Sequence, residues 1–584
     1  MHSNYDKYPH IEVNGYDHQI FVGYKDIFDR IKQQLAVLGK EKCIVAVDCY
    51  PGVLDEEVLP ALKKALNPAA VVNTLDIKHS EDTIAKMLQR NLTDDRIFGV
   101  MSFHKLDEFF DAARISDALA EITAADGLVL VYGVGASLIC KPDILVYADL
   151  ARWEIQQRYR DGRLDNWGAG NYTEDTLRKY KRAFFVEWRV ADRHKLTLFD
   201  KIDYLLDTNI PGKPKAITGD AFREGLDKTV ERPFRVVPFF DPAPWGGQWM
   251  KKVCGLDKKQ ENFGWCFDCV PEENSLLLRF AGVDVEIPSI NVVFRNPVEL
   301  LGEQVYARFG REFPIRFDLL DTMGGGNLSF QVHPLTEYIY NTFGMAYTQD
   351  ESYYLLDAGK DASVYLGLKE GVDSDEMIAD LRTAQKDSKQ AFDADKYANR
   401  FPAARHDHFL IPAGTTHCSG AESMVLEISA TPYIFTFKLW DWGRLGLDGL
   451  PRPVNIEHGK NVIQWDRTTH WVRENLVNRI EQIASGPGWT EERTGLHKRE
   501  FIETRRHWFT AKVTHNTNGG VNVLNLIEGQ EAIIESPSGN FEPFIVHYAE
   551  TFIIPACVGE YTISPYGKSK DKRCGTIKAF VRDC

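Results

Sequence analysis

A chain of 584 residues is too long for one hydrophobic core and is expected to divide into about three domains. Its 44% hydrophobic, 12% aromatic and 26% charged residues describe a folded globular protein and exclude a disordered or fibrous one. A formal net charge of −15 argues against nucleic acid or an anionic membrane as the main partner, because both repel an acidic surface.

The N-terminus lacks the apolar segment of a secretory signal. The longest apolar stretch, Gly127 to Cys140, is too short to span a bilayer. A cytoplasmic protein is therefore expected. Ten cysteines are scattered along the chain, and only Cys266 and Cys269 stand in a C-x-x-C spacing. Without a second pair to complement them they read as reduced, structural thiols.

Residues Tyr24 to Leu38 carry apolar side chains at helical spacing. Short continuous apolar runs follow at Cys43–Asp48, Gly127–Tyr132 and Asp143–Tyr147, each bounded by polar residues, as central parallel strands are. Strands separated by helices imply βαβ units, so residues 1–230 are expected to form an α/β doubly wound parallel sheet. The turn-rich segment Arg232–Pro238 is the candidate linker. From about Phe234 aromatic and β-branched strands become dense and Gly and Pro punctuate them, which predicts antiparallel β structure, sandwich or barrel. A charged segment from about Ser374 to Tyr397 is the exception, and reads as a solvated helical insertion.

Three passages in this β-rich region carry chemistry. In Asn327-Leu-Ser-Phe-Gln-Val-His-Pro334, strand alternation puts Ser329, Gln331 and His333 on one face. A polar face of that kind suits a barrel with a polar interior better than a sandwich with a dry core. Gln349-Asp-Glu-Ser-Tyr-Tyr-Leu-Leu-Asp357 places Glu351 at the head of a strong strand, and His408-Phe-Leu-Ile-Pro-Ala-Gly-Thr-Thr-His417 presents His417 after a turn. Histidines, a carboxylate and an amide oxygen form a donor set for a divalent transition metal. Each of these residues taken alone has a bland reading, as a core histidine or a surface charge.

The same passages, with Pro244-Trp-Gly-Gly247 before them and Trp440-Asp-Trp-Gly-Arg444 after, resemble type I mannose-6-phosphate isomerases, collinearly from about Phe239 to Arg444. The resemblance implies an all-β double cupin, or jelly roll. Residues 235–450 would form the metal-binding catalytic cupin, with the helical insertion at about 374–397, and residues 451–584 a second cupin. It implies one zinc ion per chain held by Gln331, His333, Glu351 and His417. It also implies interconversion of mannose 6-phosphate and fructose 6-phosphate through a cis-enediol, with Lys438 and Arg444 as catalytic cations and Ser329, Arg316 and Gln349 lining the substrate. Metal-bound water, His408 and Glu427 are the candidates to carry the proton.

This sequence departs from the family's pattern in the pocket. A lysine in the strand before Gln-x-His is replaced by Asp318, the lysine two residues before the glutamate ligand is Gln349, and the arginine ahead of Asp-Trp-Gly-Arg is Lys438. A phosphate dianion needs cations or clustered N–H donors, so either Arg316, Lys438 and Arg444 compensate or the sugar differs. Two alternatives stay open: a sugar-phosphate-binding regulatory cupin with impaired catalysis, or another cupin enzyme such as an iron oxygenase. The expected partner is a small sugar phosphate, with no nucleic acid and no membrane.

In the C-terminal part, Leu524-Asn-Leu-Ile-Glu-Gly529 and Glu550-Thr-Phe-Ile-Ile-Pro-Ala-Cys-Val-Gly-Glu560 look like a second cupin. There Glu560 stands in the place of His417, so a metal-free module is expected. The N-terminal part faintly resembles P-loop nucleoside kinases, with Arg158 and Arg160 placed like a lid. Cys49-Tyr-Pro-Gly-Val-Leu-Asp-Glu56, however, stands where Gly-x-x-x-x-Gly-Lys-Ser/Thr belongs. Without that cradle and its lysine, a degenerate kinase-like scaffold is expected.

Overall fold

The computed structural model describes residues 3–386, 390–432, 434–446, 449, 452–495 and 497–582. Two compact units emerge. One comprises His10–Thr229 with Glu272–Asn296, and the other Met1–Pro9, Val230–Pro271 and Pro297–Cys584. Neither unit is a continuous stretch of chain, which differs from the sequence-based boundaries. Residues 272–296 join the α/β unit because the strand Ser275–Phe280 pairs in parallel with His10–Glu12 and antiparallel with Val283–Pro288.

In the α/β unit the main strands are β1 (Ile20–Val22), β2 (Cys43–Cys49), β3 (Ala70–Asn73), β4 (Leu128–Gly133), β5 (Ile144–Asp149), β6 (Tyr204–Asp207) and β7 (Lys215–Thr218), in the order β1-β7-β6-β5-β2-β4-β3. Strands β2 to β6 run parallel, while β7 and β1 add an antiparallel edge. The apolar runs mark the centre of the sheet, where Val45, Ala46, Val47, Val129, Leu130 and Val131 are fully buried. The antiparallel edge corrects the expectation of a wholly parallel sheet. Its strands are three and four residues long and lack the continuous apolar run that marks a central strand. The helix Gly23–Leu38 buries Ile27, Phe28 and Ile31 on one face and stops at Gly39, whose positive φ lets its N–H reach the Leu35 carbonyl.

The second unit is all β at its core and holds two barrels. The first uses β8 (Phe239–Asp241), β9 (Trp265–Cys269), β10 (Ile315–Asp321), β11 (Phe330–Val332), β12 (Glu351–Ala358), β13 (Ser363–Leu368), β14 (Ala398–Pro402), β15 (His408–Ile411), β16 (His417–Ser419), β17 (Ser423–Ala430) and β18 (Phe437–Trp440). They form sheets ordered β15-β12-β17-β10-β9-β8 and β14-β13-β16-β11-β18. Helices Ser374–Lys386 and Ala394–Tyr397 lie between β13 and β14.

The second barrel uses β19 (Glu481–Gly486), β20 (Trp489–Gly495), β21 (Ile502–Phe509), β22 (Val513–Asn516), β23 (Asn522–Glu528), β24 (Glu531–Glu535), β25 (Phe544–His547), β26 (Thr551–Ile554), β27 (Glu560–Pro565) and β28 (Cys574–Val581). Its sheets run β19-β20-β21-β28-β23-β26 and β22-β27-β24-β25.

The segment expected as a linker is built into the all-β unit. Arg235 is buried, lies 2.8 Å from Glu550 and 3.5 Å from Asp268, and donates to the Thr551 carbonyl. Phe234 bridges to Ile553. Arg-Pro-Phe-Arg-Val-Val-Pro reads as a linker only while these partners, most of them hundreds of residues away, are unknown. The nine described cysteines are all free thiols. No described helix is long and apolar enough to cross a membrane.

Candidate metal centre

The interior of the first barrel is polar at one place. Strand β11 carries Gln331 and leads to His333, β12 begins at Glu351, and β16 begins at His417. Gln331 and His417 are direct cross-strand partners in adjacent strands, so their side chains share the inner face. Glu351 comes from the opposite sheet and bridges the two histidines. Its Oε2 lies 3.1 Å from His333 Nε2 and its Oε1 2.8 Å from His417 Nε2. The Gln331 side-chain amide is 3.2 Å from His417 Nε2. All four residues are buried.

Backbone carbonyls set the imidazole tautomers. His417 Nδ1 faces the Thr415 carbonyl at 2.9 Å, and His333 Nδ1 faces that of Phe435 at 3.4 Å. A proton on each Nδ1 leaves both Nε2 lone pairs aimed at Glu351, the arrangement metal-ligating histidines adopt. Burial raises the Glu351 carboxyl, and His333 and His417, when protonated on Nε2, hold it well below the usual carboxylate range. His333 Nε2 and Glu351 Oε1 are nevertheless buried without a hydrogen-bond partner. Among the described residues, His333, Glu351 and His417 are the group whose three donor atoms lie within 4.8 Å of one another. Two imidazole nitrogens and a carboxylate oxygen, two of these donors left unsatisfied, fit a divalent transition ion.

Around this cluster the other expected residues take specific places. Gln349 donates to Glu351 Oε2 at 3.0 Å and reaches Glu427 Oε1 at 3.4 Å, so it holds the Glu351 carboxylate in place. Arg316 pairs with Asp318 and lies 3.4 Å from both Glu427 and the Ser429 hydroxyl. Its guanidinium is thus already engaged by the barrel's own acids. Burial lifts Asp318 to about 7 against the pull of Arg316, and lifts Glu427 as well, with Glu351 adding repulsion. Lys438 is half-buried on β18 directly opposite Gln331, and burial followed by the Arg452 charge brings its amine down to about 7. Arg444 and Arg452 share one carboxylate, Asp441, at 2.5 and 3.0 Å. Ser329 is buried two residues before Gln331.

His408 does not join this cluster. It packs edge-on against Tyr354, 5.5 Å between ring centroids, next to Gly495 of the second barrel and away from the His417 face. The proton-carrier role open to it in the sequence therefore has no geometric support. Tyr353 was missed by sequence reasoning. Two residues after Glu351 on the same inward face, it is fully buried, meets His417 edge-on at 5.8 Å, and its hydroxyl has no hydrogen-bond partner. Its alternation with Glu351 was the available signal.

In the α/β unit the loop after β2 is closed by the chain itself. Arg158, expected as a lid, is 1% exposed and donates to the carbonyls of Gly52 at 2.8 Å and Thr208 at 2.6 Å. A Cβ on Gly52 would stand 2.7 Å from Ile155. Asp55, Glu56 and Glu57 occupy the first turn of the following helix, where they repel a phosphate.

Fold and site together define a protein with two β barrels, the first of which carries a buried His-Glu-His centre, joined to an α/β unit. The chain is similar to curated mannose-6-phosphate isomerases. It is 27% identical to that of Streptococcus mutans over 223 residues, 38% of this chain and 64% of that one. It is 24% identical to the probable enzyme GmuF of Bacillus subtilis over 234 residues, 40% of this chain and 69% of that one. The chain thus spans less than two thirds of the Streptococcus relative. Among solved structures, the mannose 6-phosphate isomerase of Bacillus subtilis aligns with TM-score 0.47 and 18% identity, covering 60% of this chain and 99% of that one. A zinc-bound mannose 6-phosphate isomerase aligns with TM-score 0.45 and 14% identity, covering 60% and 99%. Residues 23–231 match a family described as a domain of unknown function (DUF8485).

Proposed function

We propose that the chain is a zinc-dependent aldose–ketose isomerase acting on a sugar phosphate, with mannose 6-phosphate and fructose 6-phosphate as the pair its curated relatives suggest. The observation that carries the reading is the Glu351 carboxylate set between two imidazoles inside a barrel, with buried donor atoms left over. His333, Glu351 and His417, with Gln331 beside them, are the residues that would hold the ion. A zinc ion there supplies positive charge for the oxyanions that develop at C1 and C2 of the open-chain sugar.

The protein's own groups do the rest. Gln349 holds Glu351 in place. Lys438 faces the site from beside Gln331, and an amine near 7 suits it to take a proton from C2 and return one at C1 of a cis-enediol. Arg444 and Arg452, sharing Asp441, bring two cations to one carboxylate and leave a net positive charge on this side for the phosphate. A zinc-dependent conversion that fails in His417→Ala is the test.

A second reading has its own observation. Because Arg316 is already engaged by Asp318 and Glu427, that cation is withheld from the substrate, which favours a regulator that binds a sugar phosphate and turns it over poorly. Saturable binding of mannose 6-phosphate by zinc-loaded protein, without conversion, would select that reading. In either case the α/β unit acts as a scaffold or regulatory module, and the nine free thiols suit a reducing, cytoplasmic setting.

A further inference from the structure

Most of the second barrel's interior is apolar, with Phe509, Val513, Leu524, Leu526 and Ile563 among its core residues. Two residues along from Phe509 on β21 stands His507, and two along from Val513 on β22 stands His515, each on the inward face. They project from different sheets toward one another, with ring centroids 4.5 Å apart and exposures of 2% and 5%. His507 Nε2 lies 3.2 Å from Glu491 Oε1, its cross-strand neighbour on β20. His515 stacks flat on Tyr561 at 5.2 Å.

That arrangement uses one nitrogen of His507 and the ring face of His515. It leaves His507 Nδ1 and His515 Nε2 buried without hydrogen-bond partners, and Thr576 Oγ1, directly opposite His507 on β28, in the same condition. Buried polar atoms are normally satisfied, and ring stacking satisfies none of these three. An imidazole with a carboxylate behind one nitrogen presents the lone pair of the other, as ligating histidines do.

We propose that His507 Nδ1 and His515 Nε2 are the protein ligands of a second divalent transition-metal ion, in the C-terminal barrel, with Glu491 orienting His507 from behind. Two imidazoles select zinc, cobalt, nickel or copper over magnesium or calcium. With two protein ligands the site is weaker and more exchangeable than the three-donor group of the first barrel. Glu560 in the place of His417 had pointed to a metal-free module. These ligands lie on strands β21 and β22 instead, at positions that no single motif spans. The inference goes beyond the isomerase reading and does not depend on it.

The test is a cobalt(II) titration of chelator-stripped, full-length protein, followed by visible absorbance and by metal analysis. Two ions per chain are expected for the wild type, and one for His417→Ala. His507→Gln and His515→Gln should each keep one ion. Glu491→Gln should weaken the second ion at least about tenfold and leave the first unchanged. A wild type that binds a single ion, lost in His417→Ala, overturns the proposal. So does a two-ion count that neither histidine variant changes. Should the histidine variants fail to fold, the wild-type and His417→Ala counts decide by themselves, and neither count depends on turnover.

Discussion

The Gln349 amide donates to Glu351 Oε2 at 3.0 Å, the same oxygen that faces His333 Nε2. A position at which the isomerase pattern expects a substrate-binding cation is thereby turned into a clamp on the Glu351 carboxylate. Gln349→Ala should weaken zinc binding about tenfold or more, as loss of an outer hydrogen bond to a ligand does. A chelator competition assay measures it. Gln349→Lys should instead lower the KM for mannose 6-phosphate, by returning a cation to the pocket.

Lys438 stands across from Gln331, and its amine is brought near neutrality. Lys438→Met should lower kcat by about 10²–10⁴-fold while zinc stays bound, the range of a lost acid–base group. An equal fall in zinc content and in kcat would assign Lys438 to the metal site's structure instead.

His408 is buried and neutral, with burial taking its pKa from 6.5 to about 3 and Arg506 adding repulsion. Above 6.5 neither the folded nor the unfolded state binds the proton. As pH falls below 6.5 the unfolded state takes it up and the folded state does not, so stability drops. Between pH 6.5 and 5 this one group should remove about 2 kcal/mol. Melting curves over that range should fall less steeply for His408→Gln than for the wild type.

Arg235 is buried between Glu550 and Asp268. Arg235→Ala leaves two buried carboxylates without their cation and should cost about 3–5 kcal/mol. Denaturant unfolding of the full chain reads this directly. A cost near zero would return the segment to a mere linker.

The loop after β2 is held shut by Arg158 and Ile155. Full-length protein should show no saturable ATP binding in calorimetry. Saturable binding that strengthens on Asp55→Ala would mean that the loop opens to a nucleotide.

Much of the metal centre was legible in the sequence because strand alternation is local. Ser329, Gln331 and His333 were expected to share a face, Glu351 to head its strand and His417 to follow a turn. Tyr353 lay within the same rule and was missed. What the pocket cations do was not legible, because pairing is set across strands. Arg316 meets Glu427 only through the β10–β17 register, and nothing near residue 316 announces residue 427. The same limit explains the unit boundaries. His10–Glu12 pairs with Ser275–Phe280, and Arg235 with Glu550, contacts that no local pattern encodes. The short antiparallel strands β1 and β7 carry too few residues to show a period.

The most direct measurement is a coupled assay of full-length, zinc-loaded protein converting mannose 6-phosphate to fructose 6-phosphate, with His417→Ala alongside. Zinc-dependent turnover that disappears in His417→Ala together with the first-barrel metal is the expected result. Zinc held by His333, Glu351 and His417 with no turnover, or turnover that survives in metal-free His417→Ala, would contradict it.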